Sequence, residues 1–265
     1  MQKTILLTGA TDGIGLETAK TLVSLGHTVL LHGRNPAKLE AVAKTLSTNG
    51  GHIESYVADL SRMADVEALA QAVTQKHNNL DVLINNAGIF KTSNPITQDG
   101  LDVRFVVNTI APYLLTQRLI PLISNAGRIV NLSSAAQSPV NLDALAGRIN
   151  LSEDFTAYAQ SKLALTMWSR TLALKEDGLI IVAVNPGSML GTKMVKQAFG
   201  VGGGDIGIGA DILVRAALDD EFTTASGKYF DNDSGQFKPP HPDALNSQKS
   251  EEVVRAIEAV LAEIT

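Results

Sequence analysis

The sequence predicts an α/β fold in which helices cover both faces of a doubly wound, parallel sheet of the Rossmann type with about seven strands. Short apolar runs rich in β-branched residues alternate with longer segments of helical pattern. A glycine-rich turn joins the first of these runs to the first helical segment. A chain of 265 residues, 45% of them hydrophobic, can bury one sizeable core, so residues 1–265 are expected to form a single domain.

Six apolar runs predict the strands of this sheet. Parallel strands that are covered by helices on both sides have continuous apolar sequences, so we expect each run to be buried on both faces. The predicted strands are residues 4–8, 28–32, 53–57, 82–85, 128–132 and 179–184.

Five segments between these runs have the length and pattern of helices, namely residues 14–25, 36–46, 64–76, 101–120 and 155–175. Asn35 followed by Pro36 is typical of a helix start, because an Asn side chain caps the first turn and Pro fits its backbone. Right-handed crossovers between parallel strands place a ligand at the carboxyl ends of the strands.

Two regions on that side of the sheet interrupt the alternation. Residues 188–209 combine glycines with apolar side chains, and we interpret them as a lid over the substrate. The same apolar side chains could instead form one helix face packed on the core. Residues 135–154 are an insertion near the predicted site, or else a surface loop with no role in it.

Composition restricts the class of partner. The net charge is −5 and basic residues form no run, so neither nucleic acid nor an anionic membrane is expected as a partner. The chain has no cysteine, and its five histidines show no metal-ligand spacing, so no metal site is expected. No apolar run approaches the roughly 18 residues of a membrane helix. We expect a cytoplasmic protein that binds a small molecule.

The turn after the first strand carries the first candidate binding residues. Backbone amides at a helix start bind phosphate, and glycines let the phosphate approach closely. A dinucleotide is therefore expected at Gly9, Thr11, Asp12, Gly13, Ile14 and Gly15. A glycine turn alone is a weak signal, and a tight turn without a ligand is the alternative.

The second strand leads into Gly33 and Arg34, where NAD-binding folds usually place an acid for the ribose hydroxyl. A guanidinium can hold a 2'-phosphate there, whereas a carboxylate would repel it. This position predicts NADP(H) in preference to NAD(H), and a solvated loop arginine is the alternative. Residues after the next two strands are expected beside the adenosine half of the cofactor: Asp59, Leu60, Asn86, Ala87 and Gly88. Asp59 could equally start the following helix.

Tyr158 and Lys162 lie four residues apart, on one face of a predicted helix. A phenol with its ordinary pKa near 10 is a poor acid–base catalyst at neutral pH, but a nearby ammonium favours the phenolate and lowers that pKa. The pair alone is weak evidence for a catalytic site, because the composition of the chain predicts roughly 0.2 such pairs by chance.

Six motifs together resemble the short-chain dehydrogenase/reductase family, in order and spacing, over about residues 3–230. They are the Thr8–Gly15 turn, Asn85-Asn86-Ala87-Gly88, Asn108, Ser134, the Tyr158–Lys162 pair and Asn185-Pro186-Gly187. The resemblance implies that Pro186, Gly187 and Thr192 also contact the cofactor, with Thr192 at the nicotinamide carboxamide. It further implies a homodimer or homotetramer, here built on the largely apolar helices 101–120 and 155–175.

The same resemblance implies the catalytic roles. Tyr158 is the acid in reduction and the base in oxidation, Lys162 lowers the Tyr158 pKa and binds the nicotinamide ribose, and Ser134 hydrogen-bonds the substrate oxygen. Asn108 holds a water that carries protons to the lysine, unless it is a polar residue on a helix surface. Pro112 lacks the N–H that would bond the Asn108 carbonyl, which predicts a kink that leaves this carbonyl free.

Ser134 and Tyr158 are 24 residues apart, as in the branch that resembles retinol dehydrogenases, whereas about a dozen is common. Ser133 is a second candidate for the serine, although Ser134 directly precedes the small pair Ala135-Ala136. We expect an oxidoreductase that interconverts an apolar carbonyl compound and its alcohol. The alternatives are a regulator that binds NADP(H) without turnover and an epimerase or dehydratase of the extended relatives.

Overall fold

A computed structural model describes residues 1–47 and 52–265. Its sheet runs in the order β3-β2-β1-β4-β5-β6-β7-β8, parallel throughout except for the antiparallel pair β7–β8. The reversal of order between β1 and β4 creates the crevice where open α/β sheets bind ligands. The strands are β1 (Thr4–Leu7), β2 (Thr28–Gly33), β3 (His52–Val57), β4 (Leu80–Asn85), β5 (Ile123–Leu132), β6 (Ile180–Asn185), β7 (Tyr229–Asp231) and β8 (Gln236–Lys238).

Helices cover both faces of this sheet, as predicted. They are α1 (Gly13–Ser24), α2 (Pro36–Leu46), α3 (Met63–Lys76), α4 (Val103–Phe105), α5 (Ala111–Leu119), α6 (Leu142–Leu145), α7 (Asp154–Ala173), α8 (Lys193–Phe199), α9 (Ile206–Leu218), α10 (Pro242–Leu245) and α11 (Ser247–Ile264). One core cluster joins α3, α5, α7 and α11 to the sheet, and the other joins α1, α2 and α9 to its opposite face.

The strand predictions are confirmed for β1 to β6, apart from their ends. The prediction that residues 53–57 are buried on both faces is wrong, because β3 is the edge strand and Val57 is 56% exposed. β7 and β8 bring the sheet to eight strands in the described part of the chain.

The predicted helix 101–120 is interrupted rather than continuous. Between α4 and α5, residues Val106–Ile110 form a π-helical turn, in which the Ala111 amide bonds the Val106 carbonyl five residues earlier. Pro112 follows at once, and its ring nitrogen has no hydrogen for the carbonyl of Asn108. Such bulges are frequent at functional sites, since they turn one side chain out of helical register.

A buried arginine connects this interrupted segment to α7. Arg104 is 1% exposed, and its guanidinium bonds both carboxylate oxygens of Asp102, at 2.8 and 2.6 Å. A third bond, 2.5 Å long, reaches Asp154 at the start of α7. Arg104 precedes Asn108 by one helical turn, as Asp154 precedes Tyr158, so the ion pair fixes the spacing of the two segments that carry these residues.

The last helix covers α7. α11 buries an apolar face that includes Val253 and Ile257 in the same core cluster as Trp168 of α7. Its Glu258 accepts a 2.8 Å hydrogen bond from the Tyr113 hydroxyl on α5. The apolar surfaces of α5 and α7 are therefore covered at least in part within one chain, so they do not by themselves require a second subunit.

The insertion 135–154 contributes two residues of α6 to the core. Asn141 caps α6 by accepting bonds from two backbone amides, and α6 contributes Ala144 and Leu145, both almost fully buried. These residues belong to the core cluster that contains α7 and α11. The alternative of a surface loop is wrong for α6. Within the described residues, no helix combines the length and apolar character needed to cross a bilayer.

Candidate active site

The glycine turn between β1 and α1 is built so that two of its positions cannot hold a side chain. Gly9 has φ +67°, and a Cβ there would lie 2.9 Å from the Cα of Ala87. A Cβ on Gly15 would collide with the Gly9 carbonyl oxygen and with Nδ2 of Asn86. Both positions therefore need glycine to bring β1, α1 and the segment after β4 together.

Side chains hold this turn in place from two neighbouring strands. The Thr8 hydroxyl accepts bonds from the amides of Asn86 and Ala87, at 3.0 and 3.1 Å, and the Asn86 amide group donates to the Thr8 carbonyl at 2.8 Å. His32 accepts from the Gly9 amide at 3.2 Å and bonds the Ala58 carbonyl at 3.0 Å. Burial lowers the pKa of His32, which favours the neutral ring that these two bonds require.

The end of β2 lies directly against the glycine turn. A Cβ on Gly33 would lie 2.6 Å from Cγ2 of Thr11, so the position expected to carry an acid in NAD-binding folds has no room for one. Arg34 follows with an exposed side chain. The sequence reasoning missed Lys38, on the first turn of α2, whose Nζ lies 2.6 Å from Oδ2 of Asp12.

Asp12 is itself the cap of α1. Its carboxylate accepts the Gly13 amide at 2.8 Å, and the hydrogen bond from Lys38 lowers the pKa of this carboxyl. A carboxylate at a helix N-terminus opposes a bound phosphate, and the ammonium of Lys38 offsets that charge. No sequence motif indicates Lys38, because its partner Asp12 is distant in the sequence.

The Asp59 carboxylate forms the turn that leads to α3. It accepts bonds from the amide and the hydroxyl of Ser61, at 3.0 and 2.8 Å, and the Asp59 amide donates to Asp65. This arrangement matches the alternative of a residue that starts the helix, although the formal cap of α3 is Arg62. Leu60 beside it is buried.

Asn108 lies on the π-helical turn and joins β4 to α7. Its side chain accepts from the Ile89 amide at 2.8 Å and donates to the Ile89 carbonyl and the Ser161 hydroxyl, both at 2.9 Å. It is 1% exposed, so the alternative of a polar residue on a helix surface is wrong. A Cβ on Gly88 would lie 3.4 Å from Oδ1 of Asn108 and 3.6 Å from Nζ of Lys162.

Two neighbouring serines have different surroundings. The Ser133 hydroxyl is buried and lies 2.7 Å from that of Thr166, within the packing between β5 and α7. The Ser134 hydroxyl accepts the Ala136 amide at 3.1 Å and lies close enough to the phenol of Tyr158 to act to lower its pKa. The Ser134 carbonyl accepts from Tyr229 at 3.1 Å and from Gln137 at 2.9 Å, which fixes the backbone there.

Tyr158 and Lys162 lie side by side on α7, with Nζ 5.7 Å from the centroid of the phenol ring. Burial lowers the pKa of Lys162 to about 7, and its Nζ donates to the Leu132 carbonyl at 2.6 Å. Burial also raises the pKa of Tyr158, against the opposing effect of the Ser134 hydroxyl. The sequence-based expectation of a lowered Tyr158 pKa does not hold in this structure, because burial outweighs the effect of its neighbours.

Pro186 and Gly187 follow β6 at the same edge of the sheet. Gly187 has φ +118°, and the Pro186 carbonyl accepts a 2.9 Å bond from Asn232. The adjoining lid is anchored by Ser188, whose amide and hydroxyl both bond Asp233, at 2.6 and 2.5 Å.

Residues 188–209, predicted as a lid, form a segment that is closed by backbone bonds at its base. The Gly191 amide bonds the Gly204 carbonyl at 2.7 Å, and the Gly204 amide bonds the Met189 carbonyl at 2.8 Å. α8 within it has no fully buried residue, so the alternative of a helix face packed on the core is wrong. Thr192 caps α8 and lies beside the glycine turn, since a Cβ on Gly13 would be 3.6 Å from its Cγ2.

These features fit the phosphates of a dinucleotide. The first amides of α1 have no carbonyl partner within the helix, and helix N-termini of this kind bind phosphate. The predicted cofactor residues from β1, β2, β4 and the lid meet around this turn, and Ser134, Tyr158 and Lys162 follow at the carboxyl end of β5. Within the described residues, no cluster of His, Cys, Asp or Glu could hold a metal ion.

Comparisons with a family model, with related sequences and with solved structures all indicate the same protein family. A family model described as short chain dehydrogenase matches residues 3–200. Human retinol dehydrogenase 13 is 31% identical over 284 residues, covering 99% of this chain and 84% of that protein. An uncharacterised protein from Mycobacterium paratuberculosis superposes with a TM-score of 0.81 at 28% identity, covering 98% of this chain and 93% of its own. A short chain dehydrogenase from Shigella flexneri complexed with NADP gives a TM-score of 0.69 at 30% identity, over 87% and 96% of the two chains.

Proposed function

The chain belongs to the short-chain dehydrogenase family, and from this premise we propose that it is an NADP(H)-preferring oxidoreductase that interconverts an apolar carbonyl compound and its alcohol. One observation carries the proposal. A phenol, a serine hydroxyl and a buried ammonium group lie close together at Tyr158, Ser134 and Lys162, and the glycine turn at the start of α1 lies at the same edge of the sheet. NADP(H) supplies or accepts the hydride when bound.

The side chains of the protein transfer the proton to and from the substrate oxygen. Tyr158 donates its phenol proton to the carbonyl oxygen during reduction and takes it back from the alcohol during oxidation. Ser134, whose hydroxyl lies beside the Tyr158 phenol, stabilises the negative charge that develops on the same oxygen. When protonated, Lys162 favours the phenolate, and its pKa of about 7 lets it exchange a proton near neutral pH. Asn108 holds, through its carbonyl, the water that resupplies this proton.

The preference for NADP(H) is supported by Arg34 and Lys38. A 2'-phosphate at the end of β2 would meet the exposed guanidinium of Arg34, with Lys38 nearby on the first turn of α2. The absence of space for an acid at Gly33 disfavours the ribose contact that NAD(H) needs. We expect Arg34→Ala to raise the Kd of NADPH by roughly tenfold or more, as for the loss of a charged hydrogen bond, and to change that of NADH little. Lys44→Ala, at the far end of α2, is the control, and equal losses for both cofactors would contradict the assignment.

The reaction is tested by following NADPH absorbance with a panel of aldehydes and ketones. Wild-type turnover and its loss in Tyr158→Phe, with unchanged NADPH affinity, are expected. Turnover that survives this substitution would rule out Tyr158 as the acid. NADPH binding without turnover of any carbonyl compound would favour the alternative of a regulatory protein.

The assembly and location of the protein are separate parts of the proposal. We propose a cytoplasmic homodimer or homotetramer, as in the sequence-based expectation. Because α11 covers part of α7, the subunit contact would have to use the remaining surface of α5 and α7. Sedimentation analysis and cell fractionation test these two points.

A further inference from the structure

A phenylalanine that no motif singles out lies directly against the proposed catalytic tyrosine. The Phe90 ring centroid is 4.8 Å from that of Tyr158, and the two planes are tilted by 53°. Phe90 is 8% exposed. Its backbone is fixed by the preceding residue, since both the amide and the carbonyl of Ile89 are bonded by Asn108. The two bonds from Asn108 thus fix the backbone next to Phe90.

Two further rings extend this surface outward. Phe199, the last residue of α8 in the lid, lies 5.6 Å from Phe90 between ring centroids, and Phe155 on the first turn of α7 lies 6.3 Å away. Both are about half exposed, at 48% and 52%. Phe90, Phe155 and Phe199 form what we call the aromatic wall, and its outer two rings face solvent at the entrance to the site.

A second aromatic cluster shows what ordinary packing looks like in this chain. Phe222, Phe230 and Phe237 also lie 5.0–5.2 Å apart. Phe222 and Phe230 are 0% and 1% exposed, as expected of core residues. The aromatic wall differs because two of its three rings remain uncovered beside groups that can transfer a proton. Exposed aromatic rings beside such groups offer an apolar surface to a substrate.

We propose that the aromatic wall selects substrates in which a flat, conjugated group is attached directly to the carbonyl carbon. This inference rests on the proposed function. A carbonyl oxygen that reaches both Tyr158 and Ser134 brings the group on its carbon against Phe90, because Phe90 already touches the Tyr158 ring. A flat π-system can take the tilted or offset arrangement that these rings adopt with one another, whereas a saturated ring of the same size cannot. Each ring pair contributes about 2- to 12-fold in affinity beyond the apolar area buried.

The test compares matched pairs of carbonyl compounds across variants. The kcat/KM of benzaldehyde is divided by that of cyclohexanecarbaldehyde, and the same is done for acetophenone and cyclohexyl methyl ketone. The two members of a pair differ in intrinsic reactivity, but that difference cancels when the ratio for a variant is divided by the wild-type ratio. We expect the ratio to fall about 5- to 10-fold in Phe90→Leu and about 2- to 4-fold in Phe155→Leu and Phe199→Leu.

Phe237→Leu, in the second aromatic cluster, is the control and should leave the ratio unchanged. Phe155 and Phe199 are half exposed, so their variants keep the test valid if Phe90→Leu folds poorly. Ratios that stay at the wild-type value in Phe90→Leu and in both outer variants would overturn the proposal.

A binding measurement separates this inference from the proposed function. Calorimetry with Tyr158→Phe and NADP⁺ compares benzamide with cyclohexanecarboxamide, neither of which can be turned over by the variant. Tighter binding of benzamide that is lost in Phe199→Leu supports the aromatic wall even if no carbonyl compound is reduced, in which case only the proposed function fails. Turnover of carbonyl compounds combined with equal binding of the two amides would leave the function standing and overturn the inference.

Discussion

Replacement of Arg104 by methionine tests whether the buried ion pair holds the site together. In the wild type, Asp102 is 5% exposed and has both carboxylate oxygens bonded to Arg104, whereas Asp154 is 35% exposed. Arg104→Met leaves the Asp102 charge buried without its partner, which typically costs about 3–5 kcal/mol. Asp154 can turn to solvent instead, so Asp154→Asn should cost only about 1 kcal/mol.

Urea unfolding followed by circular dichroism measures these differences in the free energy of unfolding. Arg148→Met is the matched control, because its ion pair with Asp143 lies at the surface and should contribute at most about 1 kcal/mol. The double variant Asp102→Asn with Arg104→Met removes the uncompensated charge and should recover part of the loss. A loss in Arg104→Met no larger than that in Arg148→Met would refute the reasoning.

Three further predictions concern titration and the lid. Burial lowers the folded-state pKa of Lys162 to about 7 from 10.5, so the unfolded chain binds more protons between these values, and wild type should gain stability relative to Lys162→Met as pH rises from 7 to 10. Burial alone would raise the pKa of Glu54, but hydrogen bonds from its neighbours lower it to about 2 from 4.5. The contribution of Glu54 to the free energy of unfolding is therefore complete above pH 4.5 and is lost as the pH falls towards 2. The free energy of unfolding of Glu54→Gln, measured with urea, should fall less over that range than that of the wild type. Gly191→Ala places a Cβ 2.8 Å from a carbonyl oxygen across the lid base and should speed cleavage of the lid in limited proteolysis, whereas Gly202→Ala, with open space around it, should not.

A local pattern predicts where these strands lie, but not which of them is at the edge of the sheet. β1 and β6 are buried along most of their length, and their continuous apolar runs predict both the strands and their burial. β3 is also predicted as a strand, but its place at the sheet edge is decided by strand order, which a local pattern does not contain. β7 and β8 have three residues each, too few for any periodicity.

In the candidate site, contacts between residues that are close in the sequence could be predicted, and contacts between distant residues could not. Tyr158 and Lys162 share one helix, so their spacing alone brings them together. Lys38 pairs with Asp12 across 26 positions, and Phe90 meets Tyr158 across the crevice, so neither contact leaves a local signal. The insertion before α7 could not be assigned from composition, because only two of its residues, Ala144 and Leu145, are buried in a core built by distant helices.

The position of α11 links the chemistry to the order of synthesis. Val253 and Ile257 of α11 bury part of the α7 surface, and the bond between Tyr113 and Glu258 joins groups 145 residues apart. On the ribosome, every strand and the helix that carries Tyr158 emerge before this cover exists. The growing chain therefore exposes an apolar flank of α7 until α11 has emerged from the exit tunnel. The form in which α7 is made and α11 is still missing is the one most in need of a chaperone.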